Sequence, residues 1–547
     1  MAKEKLSTIA RKVLPLLLGG ITMGLATAPL GWTYVAWFAQ IPLWFWIFRA
    51  DITNLNFFRP KHFLLSTLPI LLAATAWGGG FYGVALFWIT GVHPLTWLGV
   101  PWLASLAIAG FCWLAITAWG IVLVFVWLLA MAVWGVTTAW TKVNSTFKNY
   151  LFILWGTASW CGLEILWSHS ILWWSPVAYT QSPSQLHFLQ LGAMGGPALL
   201  TAFIVAINGL LALGLTNLLN AKTSNNHGHS WPYLLLAILI WLACQGGGWL
   251  LYQRPLADAP EQSINVGIIQ GNIPNQIKFN SEGWRQAIAG YTEGYEKLAG
   301  QGAEIVLTPE GALPYLWETV VARSGFYQAI LQTQVPVWLG AYDTKEDGYT
   351  NSLLTVDGQG KLVGRYDKFK LVPLGEYIPL SNVFGQLIQR LSPLKEQLLP
   401  GDRPQVLPTP FGPAAVAICY ESAFPHLLRS QLLQGGEFIL SSANNAHYSD
   451  TMAAQHHALD VMRAIEGDRW LARATNTGLS AIINPRGETL WLSAMNQYQI
   501  HAGLIYRRQN LSPYGRWGDW VVVLLLILSA IAWLYSMGNR SRGVTHF

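Results

Sequence analysis

AVAICYES, residues 415–422, is a short apolar run that ends in a cysteine and turns at once into polar residues. A run of this length reads as a buried strand, with Cys419 at its end and Tyr420 and Glu421 just beyond. A cysteine in that position fits packing as well as chemistry. Strand-like runs recur on both sides of it: INVGIIQ (264–270), EIVL (304–307), VPVWL (335–339), then 351–356, 361–367, 438–442 and 478–484. Helical patterns lie between them at 284–299, 319–333 and 455–467. Strands alternating with helices predict a layered α/β domain, here over residues 260–514.

The rest of the chain has a different composition. Of 547 residues, 52% are hydrophobic and only 11% charged, about half the charge of an average soluble domain. A bilayer core of about 30 Å needs about 20 apolar residues per helix. Eight stretches qualify as candidate spans: 13–29, 33–47, 64–89, 100–128, 150–167, 197–218, 232–251 and 520–537. The second is short, and the ends of the fourth are uncertain. The expected organisation is a membrane domain of seven transmembrane helices over 1–255, a soluble domain over 260–514, and a final helix with a short basic tail over 518–547. Lys3, Lys5, Arg11 and Lys12 precede the first span, as they would a signal peptide. No small-residue cleavage site follows and more spans do, so the span is expected to be retained.

With the N-terminus inside, the cytoplasmic segments hold those four residues, then Arg49, Arg59, Lys61, Lys142, Lys148, Lys222, Arg540 and Arg542. The short outer segments 30–32, 90–99 and 168–196 hold no Lys or Arg. This asymmetry predicts cytoplasmic N- and C-termini and an extracytoplasmic soluble domain. The formal net charge of +6 is thereby accounted for by topology, and the dispersed basic residues argue against a nucleic-acid partner. Cys112, Cys161 and Cys244 lie in apolar runs, so Cys419 has no disulfide partner within the soluble domain. No cysteine or histidine spacing suggests a metal site, and no cofactor is expected. Glu164, near the outer end of the fifth span, is costly there unless paired or solvated. It is either a structural partner of a neighbouring helix or part of a substrate entrance.

Three predicted strand ends carry chemistry. Glu310 in TPEGALP (308–314) follows the EIVL strand, where Pro309 and Gly311 impose a sharp turn. Lys368 in YDKFKLVPLGEYIP (366–379) ends the 361–367 strand, with Lys370 and Glu376 beyond. Each alone also fits a solvated loop residue. Together with Cys419, on successive ends of one sheet, they supply a base, a cation for an oxyanion and a nucleophile.

In this order and context Glu310, Lys368 and Cys419 resemble the Glu-Lys-Cys triad of the nitrilase superfamily, which implies an αββα sandwich. With spans before and after, the whole chain is similar to the apolipoprotein N-acyltransferase family. The segments that carry the resemblance are QGNIP (270–274), PEGALP (309–314), LVPLGEYIP (371–379), CYE (419–421) and RATNTGLSAII (473–483). It implies a multi-pass enzyme of the bacterial inner membrane, with its catalytic domain in the periplasm. Glu310 would deprotonate Cys419, the thiolate would take an acyl chain from a phospholipid, and Lys368 would stabilise the oxyanion. The thioester would then acylate the α-amine of an apolipoprotein's diacylglyceryl-cysteine. Glu376 would support Lys368, and Tyr420 and Glu421 match residues beside the nucleophile, expected to contact substrate. A monomer is expected.

Two positions depart from the family pattern. Phe279 stands where a Trp is frequent, and in NNAHY (444–448) His447 takes a usual Trp position. Both are expected in substrate loops. Between 378 and 399, Phe384, Leu387, Ile388 and Leu391 recur at helical spacing beside Arg390 and Lys395. That stripe fits either a helix packed on the sandwich or a membrane-dipping arm. Two other readings remain at this level: a membrane-anchored nitrilase-type amidase, and a transporter or lipid receptor with an inactive outer domain.

Overall fold

The computed structural model describes residues 2–49, 60–138, 145–221, 230–346, 348–377, 398–403 and 405–541. The expected arm at 378–399 falls almost entirely outside them. The chain divides into two compact units. One comprises Met1–Phe87, Phe111–Gln253 and Asp519–Phe547, the other Trp88–Gly110 and Arg254–Gly518. The segment Trp88–Gly110, which takes in the expected outer segment 90–99 and the start of the fourth candidate span, belongs to the second unit.

The first unit is helical. Among the described residues, six helices contain stretches long and apolar enough to cross a membrane: Thr67–Ala85, Trp102–Gly135 (whose first turns, up to Gly110, belong to the second unit), Thr146–Ser168, Gly192–Asn220, Trp231–Tyr252 and Trp520–Met537. A further helix runs Ala2–Leu25. The second candidate span is not one helix. It breaks into Thr33–Val35, Ala36–Ala39 and Ile41–Arg49, and nine residues span only about 14 Å at 1.5 Å per residue. Indoles fill the centre of the unit. Trp44, Trp127, Trp160 and Trp77 form a chain of edge-to-face contacts at 5.2, 5.1 and 5.6 Å. Trp77 and Trp127 donate to the carbonyls of Ala39 and Gly156 at 3.0 and 2.8 Å. Glu164 accepts from Trp160 Nε1 at 3.0 Å, Val177 N at 2.8 Å and Thr201 Oγ1 at 2.8 Å. These bonds favour the structural alternative, because a buried carboxylate needs such donors.

The second unit carries two sheets. The first has the order β11-β1-β2-β3-β4-β5 and the second β10-β9-β8-β7-β6. The strands are β1 (Ser263–Gln270), β2 (Ile305–Leu307), β3 (Val337–Lys345), β4 (Gly348–Val356), β5 (Leu362–Asp367), β6 (Ala414–Ile418), β7 (Phe438–Ala443), β8 (Leu471–Thr475), β9 (Ala481–Ile483), β10 (Thr489–Leu492) and β11 (Gln499–Tyr506). Strands β1–β3 are parallel, as are β6–β8. Val266, Ile268, Trp338 and Leu353 of one sheet share a core with Val416, Ile418, Leu440 and Ala472 of the other. The opposite face of the first sheet buries Val306, Leu339 and Leu354 against Tyr291, Leu298, Phe326 and Ile330 from helices Ser281–Gly300 and Gly325–Thr333. Helices Pro425–Leu433 and Asp450–Gly467 accompany the second sheet. This is the expected αββα sandwich. On its edge strand β6, Gln431 takes up both main-chain groups of Val416, its Oε1 accepting from Val416 N at 2.7 Å and its Nε2 donating to Val416 O at 2.8 Å, which covers part of a free ladder edge.

Candidate active site

The three expected groups do not lie on one sheet. Glu310 follows β2 and Lys368 follows β5, both in the first sheet, whereas Cys419 follows β6 in the second. Strand order is a tertiary property, and it sets the two acid–base groups across the sandwich from the thiol. The turn bearing Glu310 is fixed by Gly311, at φ 52°. It also lies so close to β3 that a Cβ on Gly340 would stand 2.0 Å from Pro309 O.

Lys368 is 1% exposed. Its Nζ donates to Glu310 Oε1 at 2.8 Å and to Glu376 at 2.9 Å. Asn351 Nδ2 joins the same two carboxylates, at 2.7 Å from Glu310 and 3.1 Å from Glu376. Asn444 N donates to Glu310 Oε2 at 2.9 Å, and Val372 N to Glu376 Oε2 at 2.8 Å. Burial alone would lower Lys368, but the Glu310 and Glu376 charges hold it well above the ordinary lysine value. Burial alone would raise Glu310, but the Lys368 charge outweighs it and keeps the carboxyl below its usual range. The site therefore holds an ionised base.

Cys419 is a free thiol, 5% exposed. It takes φ 52°, a left-handed conformation that L residues adopt at a cost and that recurs at functional turns. Burial pushes its thiol well up, the Glu310 charge adds to this, and Lys368 opposes it. The resting sulfur is thus protonated, within electrostatic reach of Glu310, Lys368 and Glu376.

Glu421, expected to touch substrate, is instead buried beneath the turn at 1% exposure. Its carboxylate accepts from Ile418 N at 2.8 Å, Phe369 N at 2.8 Å, Lys370 N at 3.1 Å and Tyr366 Oη at 3.0 Å. It ties the Cys419 turn to the Lys368 loop, a positioning geometry. That burial raises its carboxyl to about 7. Tyr420 is partly exposed and meets Phe424 edge-on at 4.8 Å. Phe279 is 37% exposed at the end of a one-turn helix. His447 stacks on Trp97 at 6.0 Å, and Tyr448 meets Trp88 edge-on at 5.2 Å. The segment Trp88–Gly110 therefore supplies aromatic partners to this loop. A polar cavity of about 330 Å³ adjoins the same loop, lined in part by Asn275, Asn445, Tyr448, Ser449, Thr477 and Asn496.

One site residue escapes the sequence reading. Lys278, the residue before Phe279, is 3% exposed and donates from Nζ to the main-chain oxygen of Glu310 at 3.0 Å. Its only distinguishing signal in the sequence is its place just after QGNIP.

A family model for carbon-nitrogen hydrolase matches residues 265–511, the span of both sheets. Over nearly its full length the chain is similar to proteins named apolipoprotein N-acyltransferase. One from Synechocystis sp. is 86% identical, over 94% of this chain and 99% of the relative. One from Nostoc sp. is 48% identical, over 93% and 97%. One from Thermosynechococcus vestitus is 42% identical, over 94% and 93%. With the αββα sandwich, the apolar helices and this identity over almost the whole length, the chain belongs to the apolipoprotein N-acyltransferase family.

Proposed function

We propose that this protein transfers an acyl chain from a membrane phospholipid to the N-terminal α-amine of the diacylglyceryl-cysteine of apolipoproteins, through a thioester on Cys419. The observation that carries this reading is the buried cluster of Lys368 with Glu310 and Glu376 beside the Cys419 thiol. A high thiol and an ionised carboxylate call for proton transfer during attack rather than a standing thiolate. Glu310 takes the Sγ proton as sulfur attacks the ester carbonyl. The Lys368 ammonium faces the oxyanion, where a pre-oriented cation in a dry site is most effective. Collapse breaks the ester C–O bond, and Glu310 returns its proton to the departing lysophospholipid oxygen. The acceptor amine then attacks the thioester, the C–S bond breaks and an amide forms. Glu376 holds Lys368 in place, and Glu421 couples its loop to the Cys419 turn. Tyr420, Phe279 and His447, all partly exposed, are the proposed substrate contacts.

The basic residues confined to one set of short loops support cytoplasmic termini and a periplasmic catalytic domain in a bacterial inner membrane. Their dispersal supports a membrane partner and no nucleic acid. A monomer is part of the same proposal. Purified protein supplied with defined phospholipids and a diacylated lipopeptide should add one acyl mass to the peptide, and Cys419→Ala should add none. Acylation by Cys419→Ala at the wild-type rate would remove the thioester route.

A further inference from the structure

The acceptor brings a proton problem that the Glu310, Lys368 and Cys419 groups leave open. A free α-amine has a pKa of about 8, so near neutral pH it arrives mostly as an ammonium, which has no lone pair for attack. It must lose one proton before attack, and the nitrogen must lose a second as the amide forms. Glu310 can take one and pass it to the departing Cys419 sulfur. The other needs a second acceptor.

Lys278 and Lys368 are both buried at the site and both bond Glu310, but in opposite ways. Lys368 pairs with two carboxylates. Lys278 makes no carboxylate ion pair among the described residues, and its bond is to a neutral carbonyl. A buried amine without a counter-charge is driven towards its neutral form. The groups that face it are Glu310 from the turn after β2, Cys419 after β6 and His447 after β7, with Tyr342 of β3 close to the same turn. Burial brings Lys278 down to about 8, although Glu310 and Cys419 oppose the shift.

We propose that Lys278 is a further catalytic residue of the transfer step, its neutral amine taking the proton that the acceptor's α-ammonium must lose before nitrogen attacks the thioester. The balance closes with the groups present. Lys278 becomes an ammonium, the freed amine forms the C–N bond, and Glu310 moves the second proton from nitrogen to sulfur as the C–S bond breaks. Lys278 then releases its proton to water. This role rests on the acyl-transfer reading.

The test separates the two half-reactions. Acyl-enzyme is formed from a defined phospholipid, freed of excess donor and mixed with diacylated lipopeptide. Loss of the acyl mass from Cys419 is followed in a single turnover from pH 6 to 10. Lys278→Met and Lys278→Arg should both transfer at least about tenfold more slowly than wild type at pH 7, because a positioned base contributes about 10²–10⁴-fold and at a pKa of about 8 roughly one Lys278 in ten is neutral there. The gap should close by pH 9, where the acceptor arrives as the free amine. Wild-type transfer by Lys278→Arg at pH 7 would overturn the proposal, because a fixed cation would then suffice. A deficit constant from pH 7 to 9, or an equal fall in acyl-enzyme formation, would overturn it as well by marking a structural role. Failure of the wild type to form any acyl-enzyme would overturn the underlying transfer reading along with it.

Discussion

Lys368 and Lys278 are buried side by side with Glu310, and their surroundings give them opposite characters. At the end of β5, two carboxylates and Asn351 fix Lys368 as a permanent cation. At the end of the one-turn helix Asn275–Lys278, a single carbonyl leaves Lys278 ready to titrate near neutrality. One lysine type thus supplies a fixed charge and a movable proton, and the difference lies in the counter-charges rather than in depth. Both are almost fully buried.

The contrast can be broken at several points. The largest effect is expected from Lys368→Met, which leaves Glu310 and Glu376 without their cation. Removing one partner of a buried pair costs about 3–5 kcal/mol, and losing an oxyanion-stabilising group lowers kcat about 10²–10³-fold. Thermal unfolding and single-turnover acylation would measure the two losses.

Next comes the pH dependence of stability. Lys278 has a folded pKa of about 8 against 10.5 when unfolded. Between those values the unfolded chain binds more protons, so stability rises with pH across that window. The burial cost is fully felt below about pH 8 and is gone above 10.5. Relative to Lys278→Met, the wild type should gain on the order of 3 kcal/mol from pH 8 to 10.5, read as converging unfolding curves. A constant offset between the two proteins would mean that Lys278 stays charged.

Glu376→Gln removes one of the two charges on Lys368 and keeps the side-chain shape. A bond to a charged group contributes about 1.5–3 kcal/mol. The rate should fall about tenfold to a hundredfold, with little change in KM for the lipopeptide. The smallest effect is expected from Trp97→Ala, which removes the ring stacked on His447. Such a contact contributes about 0.5–1.5 kcal/mol, and a few-fold rise in KM for one of the two substrates would place His447 at that substrate's loop.

Much of this was legible in the sequence because apolar runs end where chemistry begins. Glu310, Lys368 and Cys419 each stand just past such a run, and β1, β2, β6 and β7 lie within a residue or two of their predicted bounds. Strand order was not legible, so the two-sheet placement of the three groups emerged only in the fold. Strand β8 was missed because Arg473 interrupts its apolar run. That arginine is fully buried and is compensated by Asp460, on a helix whose partner the sequence does not reveal. Glu421 was expected to contact substrate beside the nucleophile, and its buried carboxylate instead joins two loops. Lys278 carries no local mark beyond its place after QGNIP, since its character comes from having no carboxylate at ion-pair distance among the described residues, which is a tertiary fact. The second candidate span, 33–47, is interrupted at Gln40, between the helices Ala36–Ala39 and Ile41–Arg49, where the Gln40 main-chain N–H donates to Asn208 Oδ1 at 2.9 Å.

The central claim is a covalent acyl-enzyme on Cys419. Intact-mass measurement of the purified protein after incubation with a phospholipid of defined acyl chains tests it most directly. The account predicts a mass gain of one acyl group on Cys419, sensitive to hydroxylamine, lost on addition of diacylated lipopeptide and absent from Cys419→Ala. An unmodified Cys419 in protein that still acylates the peptide, or the same mass gain in Cys419→Ala, would contradict it.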